Sequence, residues 1–202
     1  MNEEVILTPS TADPIQALRA GTWSLLGSLL MGPPDAQLLK RLVEVDHGSA
    51  GDEIGLAWQR LAEAARVARD ESLRREYQDV FIGVGQGEVT PYSCWYLTGM
   101  LADRPLIELR DDLKALGIAM REDCSETEDH VGALCETMAC VTVDEDVDFD
   151  WQKDIFRRHV DSWMERFFED LAKAPSAQFY RAVAGLGLAF LKLERRFYAM
   201  LV

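Results

Sequence analysis

The sequence predicts an all-α fold, a helical bundle of about 8–10 helices. Three observations carry this reading. Apolar residues recur at spacings of three and four along most of the chain. N-cap residues and prolines stand just before these runs, with glycines or prolines just after them. No segment alternates apolar and polar residues as a half-buried strand does.

The elements follow in order. Asp13 and Pro14 read as an N-cap and a first helical position, and Ile15, Leu18, Thr22, Leu25, Leu26 and Leu29 keep the period until Gly32-Pro33-Pro34. Asp35 caps a short second helix that carries Leu38, Leu39 and Leu42 and ends near Gly48. A third helix spans 54–68, with Trp58, Leu61 and Ala65 on one side. Asp70 caps a fourth, with Leu73, Tyr77, Val80 and Phe81 inward. The stretch "GVGQGEVTPYSCWY", residues 83–96, then interrupts. Pro91 restarts a helix through Trp95, Tyr96 and Met100, and Arg104-Pro105 breaks it. The next helix, 106–116, has Gly117 as its C′ residue. Ser125-Glu126-Thr127-Glu128 has the pattern of a capping box and opens a helix bearing Val131, Leu134, Cys135 and Met138. Two longer helices, 151–171 and 177–200, close the chain.

The chain has 202 residues, 48% of them hydrophobic, which suits one helical domain over 1–202 with its own core. The acidic stretch "VDEDVDFD", 143–150, reads most simply as a solvated loop. It would also serve as a hinge between two helical halves or attract a basic peptide; a single continuous core fits the pattern equally. The formal net charge of −14 excludes nucleic acid as the main partner, which needs a positive footprint, and favours cationic partners. No apolar run reaches the ~20 residues of a membrane span. The beginning "MNEEVILTPSTADPIQ" lacks the apolar run of a secretory signal, so a cytoplasmic location is expected. The four cysteines, Cys94, Cys124, Cys135 and Cys140, form no CxxC pair. Cys135 and Cys140 would lie about 140° apart around a helix. Reduced, partly buried thiols are expected, not a zinc site or a disulfide framework.

Gly83, Gly85 and Gly87 do not make a phosphate loop. No Lys or Arg lies between residues 76 and 103, and the stretch follows a helix, not a strand. Glycines there allow a tight, irregular link between helices. They do not account for the aromatics after Pro91. Tyr92 and Tyr96 would form an i,i+4 pair on one face, and large aromatics with polar tips are good anchors for another polypeptide. Core packing is the simpler role for Trp95. In "SETEDH", residues 125–130, capping and the helix dipole explain much of the acidity. Glu126 and His130 would meet as an i,i+4 pair, and an Asp129–His130 pair would need a nucleophile such as Ser93 or Cys94 to act in catalysis. No GxSxG elbow is present, and His47 and His159 stand alone on separate helices, so no metal is expected.

Taken together and in this order, the two stretches resemble those of the TorD/DmsD/NarJ family of redox-enzyme maturation chaperones, most closely its TorD and DmsD branch. The first of the family's motifs reads here as Tyr77, Phe81, Gly83 and Gly85, then Pro91, Tyr92, Ser93 and Tyr96. The second reads Glu126, Asp129 and His130. The segments "WMERFFEDLAKA" and "FYRAVAGLGLAFLKLE" are similar to the family's last two helices, so the likeness runs from about residue 14 to 200. Thr127 stands where the acidic motif has a proline, and Thr90 where many members have a second proline.

The resemblance implies a cytoplasmic chaperone, not an enzyme, that binds the twin-arginine leader of an apo molybdoenzyme. It would hold the client until the molybdopterin guanine dinucleotide cofactor is inserted and then release it for Tat export. No tightly bound cofactor is implied, only weak GTP binding at the Asp-His region, and the chain would be a monomer or a domain-swapped homodimer hinged at 143–150. Such a leader joins two arginines to an apolar stretch. Glu126 and Asp129, with His130 beside them, would meet the guanidinium groups. Phe81, Tyr92, Ser93, Trp95 and Tyr96 would line the apolar groove, with Gly83, Gly85, Gly87 and Pro91 shaping the loop. The competing readings are a helical nucleotide-binding or nucleotide-hydrolysing protein using Asp129 and His130, and a helical adaptor.

Overall fold

The computed structural model describes residues 13–45, 51–120 and 125–200. The N-terminal stretch through residue 12, the second helix's end near Gly48, His47 and Cys124 lie outside the described residues.

Among the described residues the chain forms ten α-helices and no strand: α1 Pro14–Met31, α2 Ala36–Glu44, α3 Glu53–Val67, α4 Asp70–Tyr77, α5 Ser93–Thr98, α6 Arg104–Ala115, α7 Val131–Val143, α8 Phe149–Ile155, α9 Met164–Lys173 and α10 Phe179–Met200. Two π-helical turns, Gln78–Ile82 and Phe156–Val160, continue α4 and α8. Aspartates start several helices. Asp13, Asp35, Asp52 and Asp148 each accept from a backbone N–H two or three residues on, at 2.7–3.0 Å. Asp70 does not cap α4; it is the first residue of the helix, where its charge complements the dipole. The start of α10 is capped from a distance, since the Glu76 carboxylate on α4 accepts from Gln178 N and Tyr180 N.

The expected helix over 151–171 is broken. The second π turn and the residues 161–163 separate α8 from α9. Side-chain bonds hold the break: Trp163 Nε1 donates to His159 O, and both His159 and Arg158 reach Asp112 on α6. His159 is thus paired rather than alone. The acidic link after α7 is not wholly solvated either, because Val147 is buried in the core.

The core is one cluster with side chains from α1 through α10. Glycines let helices meet closely: a Cβ on Gly27 of α1 would lie 2.5 Å from the Glu136 side chain of α7, and one on Gly187 of α10 would lie 2.3 Å from the Phe168 ring of α9. The first and last helices share a buried ion pair. Arg19 Nε and Nη2 donate to the two Glu194 oxygens at 2.6 and 2.8 Å, and Trp23 Nε1 adds a third bond at 3.0 Å.

Candidate functional site

The first glycine stretch is shaped by backbone demand. Gly83 ends the first π turn, its N–H reaching Gln78 O, and adopts φ +63°. A Cβ there would lie 1.9 Å from Gln86 O, and one on Gly87 would lie 2.5 Å from the Phe81 carbonyl carbon. The chain therefore folds back on the π turn. Glu88 N and Val89 N donate to Asp79 O and Val80 O, carbonyls that the ending helix leaves without partners.

From there the chain enters a two-stranded bridge. Tyr92 and His130 face each other in antiparallel register, with Ser93 N donating to Asp129 O at 2.9 Å and Val131 N donating to Pro91 O at 2.8 Å. The two motif segments, 38 positions apart at Tyr92 and His130, are thus physically joined. Asp129 is 1% exposed, and its carboxylate faces inward. One oxygen accepts from Cys94 N at 3.1 Å, the other from Thr127 Oγ1 at 2.5 Å. Asp129 therefore caps α5 from across the bridge, supplying the side-chain cap that Tyr92 does not.

His130 is the N-cap of α7. Its Nδ1 accepts from Gly132 N at 3.1 Å, which leaves the proton of the neutral ring on Nε2. Burial lowers its pKa to about 4 against the opposing pull of Glu126 and Asp129. Its ring stands edge-on to Tyr92, with centroids 5.2 Å apart. The expected capping box at 125–128 is consequently absent. Helix α7 starts only at Val131, because the bridge holds His130 extended as its N-cap. Glu126 and His130 are not a helical i,i+4 pair. Instead the Tyr92 hydroxyl donates to Glu126, and burial with that carboxylate raises the tyrosine pKa. Glu128 forms a bidentate pair with Arg110 of α6 at 2.8–2.9 Å.

The expected aromatic face divides. Pro91 precedes α5 in extended backbone, and Tyr92 and Tyr96 do not share a helix face. Tyr96 is buried against Trp163 and Phe167 and donates to Asp170 at 3.1 Å. Ser93 is buried at the bridge. Phe81 joins Tyr77 and Tyr180 in an aromatic cluster on the core. Trp95 is the reverse of the core reading: it is 41% exposed and lines a cleft of about 310 Å³ with Gln86, Glu88, Asp170 and Lys173. Of the expected site residues at the joint, Trp95 is exposed and Tyr92 and Glu126 are half-buried.

This arrangement can recognise a chain but does not suit catalysis. Ser93 and Cys94 do lie beside Asp129, as an Asp-His nucleophile site would need, yet all are enclosed. Burial and the neighbouring Asp129 charge raise the Cys94 thiol. Both Asp129 carboxylate oxygens and His130 Nδ1 are used inside the joint, the carboxyl side chains of Glu126 and Glu128 flank it, and Arg110 is committed to Glu128. Among the described residues no group of His, Cys, Asp and Glu could hold a metal ion, and no helix is long and apolar enough to cross a membrane. Cys94, Cys135 and Cys140 are free thiols.

Comparison with known proteins matches residues 48–169 to the family model described as nitrate reductase delta subunit. The chain is 29% identical over 138 residues to the chaperone protein TorD of Aliivibrio fischeri, covering 63% of this chain and 64% of that one. It is 27% identical over 124 residues to a Tat proofreading chaperone, DmsD, of Haemophilus influenzae, covering 60% of each. These matches span less than two thirds of either relative. The crystal structure of a redox enzyme maturation protein from Archaeoglobus fulgidus superposes with a TM-score of 0.55 at 16% identity, over 96% of this chain and 99% of that one, which establishes a common fold.

Proposed function

The chain belongs to the nitrate reductase delta subunit family, and we propose on that premise that it is a maturation chaperone for a molybdoenzyme. In this reading it binds the twin-arginine leader of the apoenzyme in the cytoplasm. The client then receives its molybdopterin guanine dinucleotide before export by the Tat route. The observation that carries the reading is the bridge between 91–93 and 129–131. It sets the half-buried carboxylate of Glu126 against the half-buried Tyr92, with the exposed indole of Trp95 on the helix that Asp129 caps. A guanidinium group beside an apolar side chain has both kinds of partner there. The net charge of −14 speeds the encounter with a cationic leader.

Roles within the site follow burial. Glu126 and Tyr92 meet the leader, while Asp129, His130 and Ser93 hold them in place. Calorimetric titration with the synthetic twin-arginine leader of a molybdoenzyme from the same genome tests this, with lysine-substituted and scrambled peptides as controls. The expected result is selective binding at roughly micromolar Kd, and about a tenfold loss for Tyr92→Ala. Failure to bind any leader from that genome would overturn the reading.

A further inference from the structure

We propose that the outer face of α3, with the cleft between α3 and α10, is the contact surface for a second copy of this chain. The cleft has a volume of about 990 Å³ and runs the length of α3, from Asp52 to Val67 on one wall and from Gln178 to Lys192 on the other. Its α10 wall is low, because Ala182, Gly185 and Ala189 stand there. A Cβ on Gly185 would meet nothing within 4 Å. Another helix can therefore come close to the α10 backbone. No residue of the bridge between 91–93 and 129–131 lines this cleft.

The exposed face of α3 is self-complementary. Leu56, Arg60, Glu63 and Val67 follow one another at steps of four, three and four, so they share one side of the helix. All four are exposed, Leu56 at 42% and Val67 at 78%. An apolar residue stands at each end, and charges of opposite sign flank the midpoint. A second α3 laid antiparallel, about a two-fold axis through that midpoint, sets Leu56 against Val67 of the other copy and Arg60 against its Glu63. Each contact then occurs twice, as an isologous interface requires. Neither Arg60 nor Glu63 forms an ion pair with another described residue; Glu63 accepts only from Gln59 Nε2, at 3.4 Å. Both charges are thus available to pair across the axis.

Charge favours this occupant. A chain of net charge −14 repels its own copies over most of its surface. The α3–α10 cleft is balanced instead: Arg60, Arg181 and Lys192 stand against Asp52, Glu53 and Glu63. The cleft beside Trp95 has Glu88 and Asp170 against Lys173, and the one beside Glu76 has Glu71, Glu76 and Asp79 against Arg75. Both of those keep an acidic excess, so copies meet at lower electrostatic cost on α3. Within the balanced cleft, Lys192 and Glu53 already pair at 2.5 Å, and the Asp52 carboxylate accepts from Gly55 N. Arg181 Nε donates to Ala172 O. The Arg60 and Glu63 charges are the ones left for a partner, in the register that their own helix supplies. No element changes hands in this contact, which separates it from a dimer swapped at 143–150.

The test is sedimentation equilibrium of the whole chain over a concentration series, for the wild type, Arg60→Glu, Glu63→Arg, the double variant Arg60→Glu/Glu63→Arg, and Gly185→Gln. Arg60 and Glu63 are exposed and Gly185 has open space above it, so every variant should keep the wild-type thermal transition. The wild type is expected to dimerise reversibly, with a Kd of roughly 1–100 μM. The two-fold repeats each single reversal, which sets two pairs of like charges face to face and should weaken the dimer at least about tenfold. The double reversal exchanges the charges and should return the Kd to within about threefold of wild type. Gly185→Gln fills the cleft and should also weaken the dimer. A monomeric wild type would overturn the proposal. So would a dimer that ignores the single reversals or Gly185→Gln, or one that the double reversal fails to restore. Apoenzyme binding lost in Arg60→Glu, with a monomeric wild type, would give this surface to the client instead and overturn the proposal.

Discussion

Asp129 shows how the fold can give a conspicuous residue a structural task of its own. Its acidic neighbours and its place before an apolar run make it conspicuous in the sequence. The sequence suggests a guanidinium partner for it; the fold gives it Cys94 N and Thr127 Oγ1, at 1% exposure. Capping needs an acceptor rather than a charge, and this separates the two roles. Asp129→Ala removes the acceptor and is expected to cost about 1–2 kcal/mol and to weaken leader binding by loosening α5. Asp129→Asn keeps an oxygen for Cys94 N and an amide for Thr127, and should bind the leader within a few-fold of wild type. Titration of both variants decides the matter: equal losses would mean that the charge itself meets the leader. Glu126 and His130 were legible by the same acidity, but their partner Tyr92 was not. The pairing runs across a two-residue bridge that no local period announces.

At the scale of elements, starts were more legible than ends and interruptions. Aspartates at 13 and 35 marked helix beginnings because capping is local chemistry. The π turns were not legible, since one extra residue per turn barely disturbs an apolar pattern. The first π turn makes the glycine stretch necessary, and the demands on its glycines differ. Gly83 combines a left-handed φ with backbone 1.9 Å from where a Cβ would stand. Gly85 has φ +95° but nothing within 4 Å. Gly83→Ala is therefore expected to cost more than the ~1–2 kcal/mol that the left-handed conformation alone explains, and Gly85→Ala about that amount. Denaturant midpoints measure both; equal losses would show that the close approach at Gly83 relaxes freely.

Across the whole molecule, the first and last helices are tied by polar chemistry as well as by apolar packing. Glu194, fully buried on α10, receives three hydrogen bonds from Arg19 and Trp23 of α1, and the Arg19 guanidinium also lies 3.9 Å from the Phe197 ring centroid. Removing Glu194 leaves a buried guanidinium with Gln16 as its remaining side-chain acceptor and an indole N–H with none. Glu194→Ala is expected to cost about 3–5 kcal/mol in chemical denaturation. Arg104→Ala, which breaks a pair 83% and 45% exposed, should cost under ~1 kcal/mol. Equal effects would show that Arg19 finds water when its partner is removed.

The sequence by itself determined the helical class, most helix starts, the role of the glycines and the family, because these rest on backbone chemistry within a few residues or on motif order along the chain. Only the tertiary structure decided which of the candidate residues stay in reach of solvent. Burial turned Asp129 and Ser93 inward, put Tyr96 in the core and Phe81 against it, and left Trp95, Met100 and Leu101 in water. Exposure depends on which distant segment covers a residue, and neighbouring residues carry no record of that.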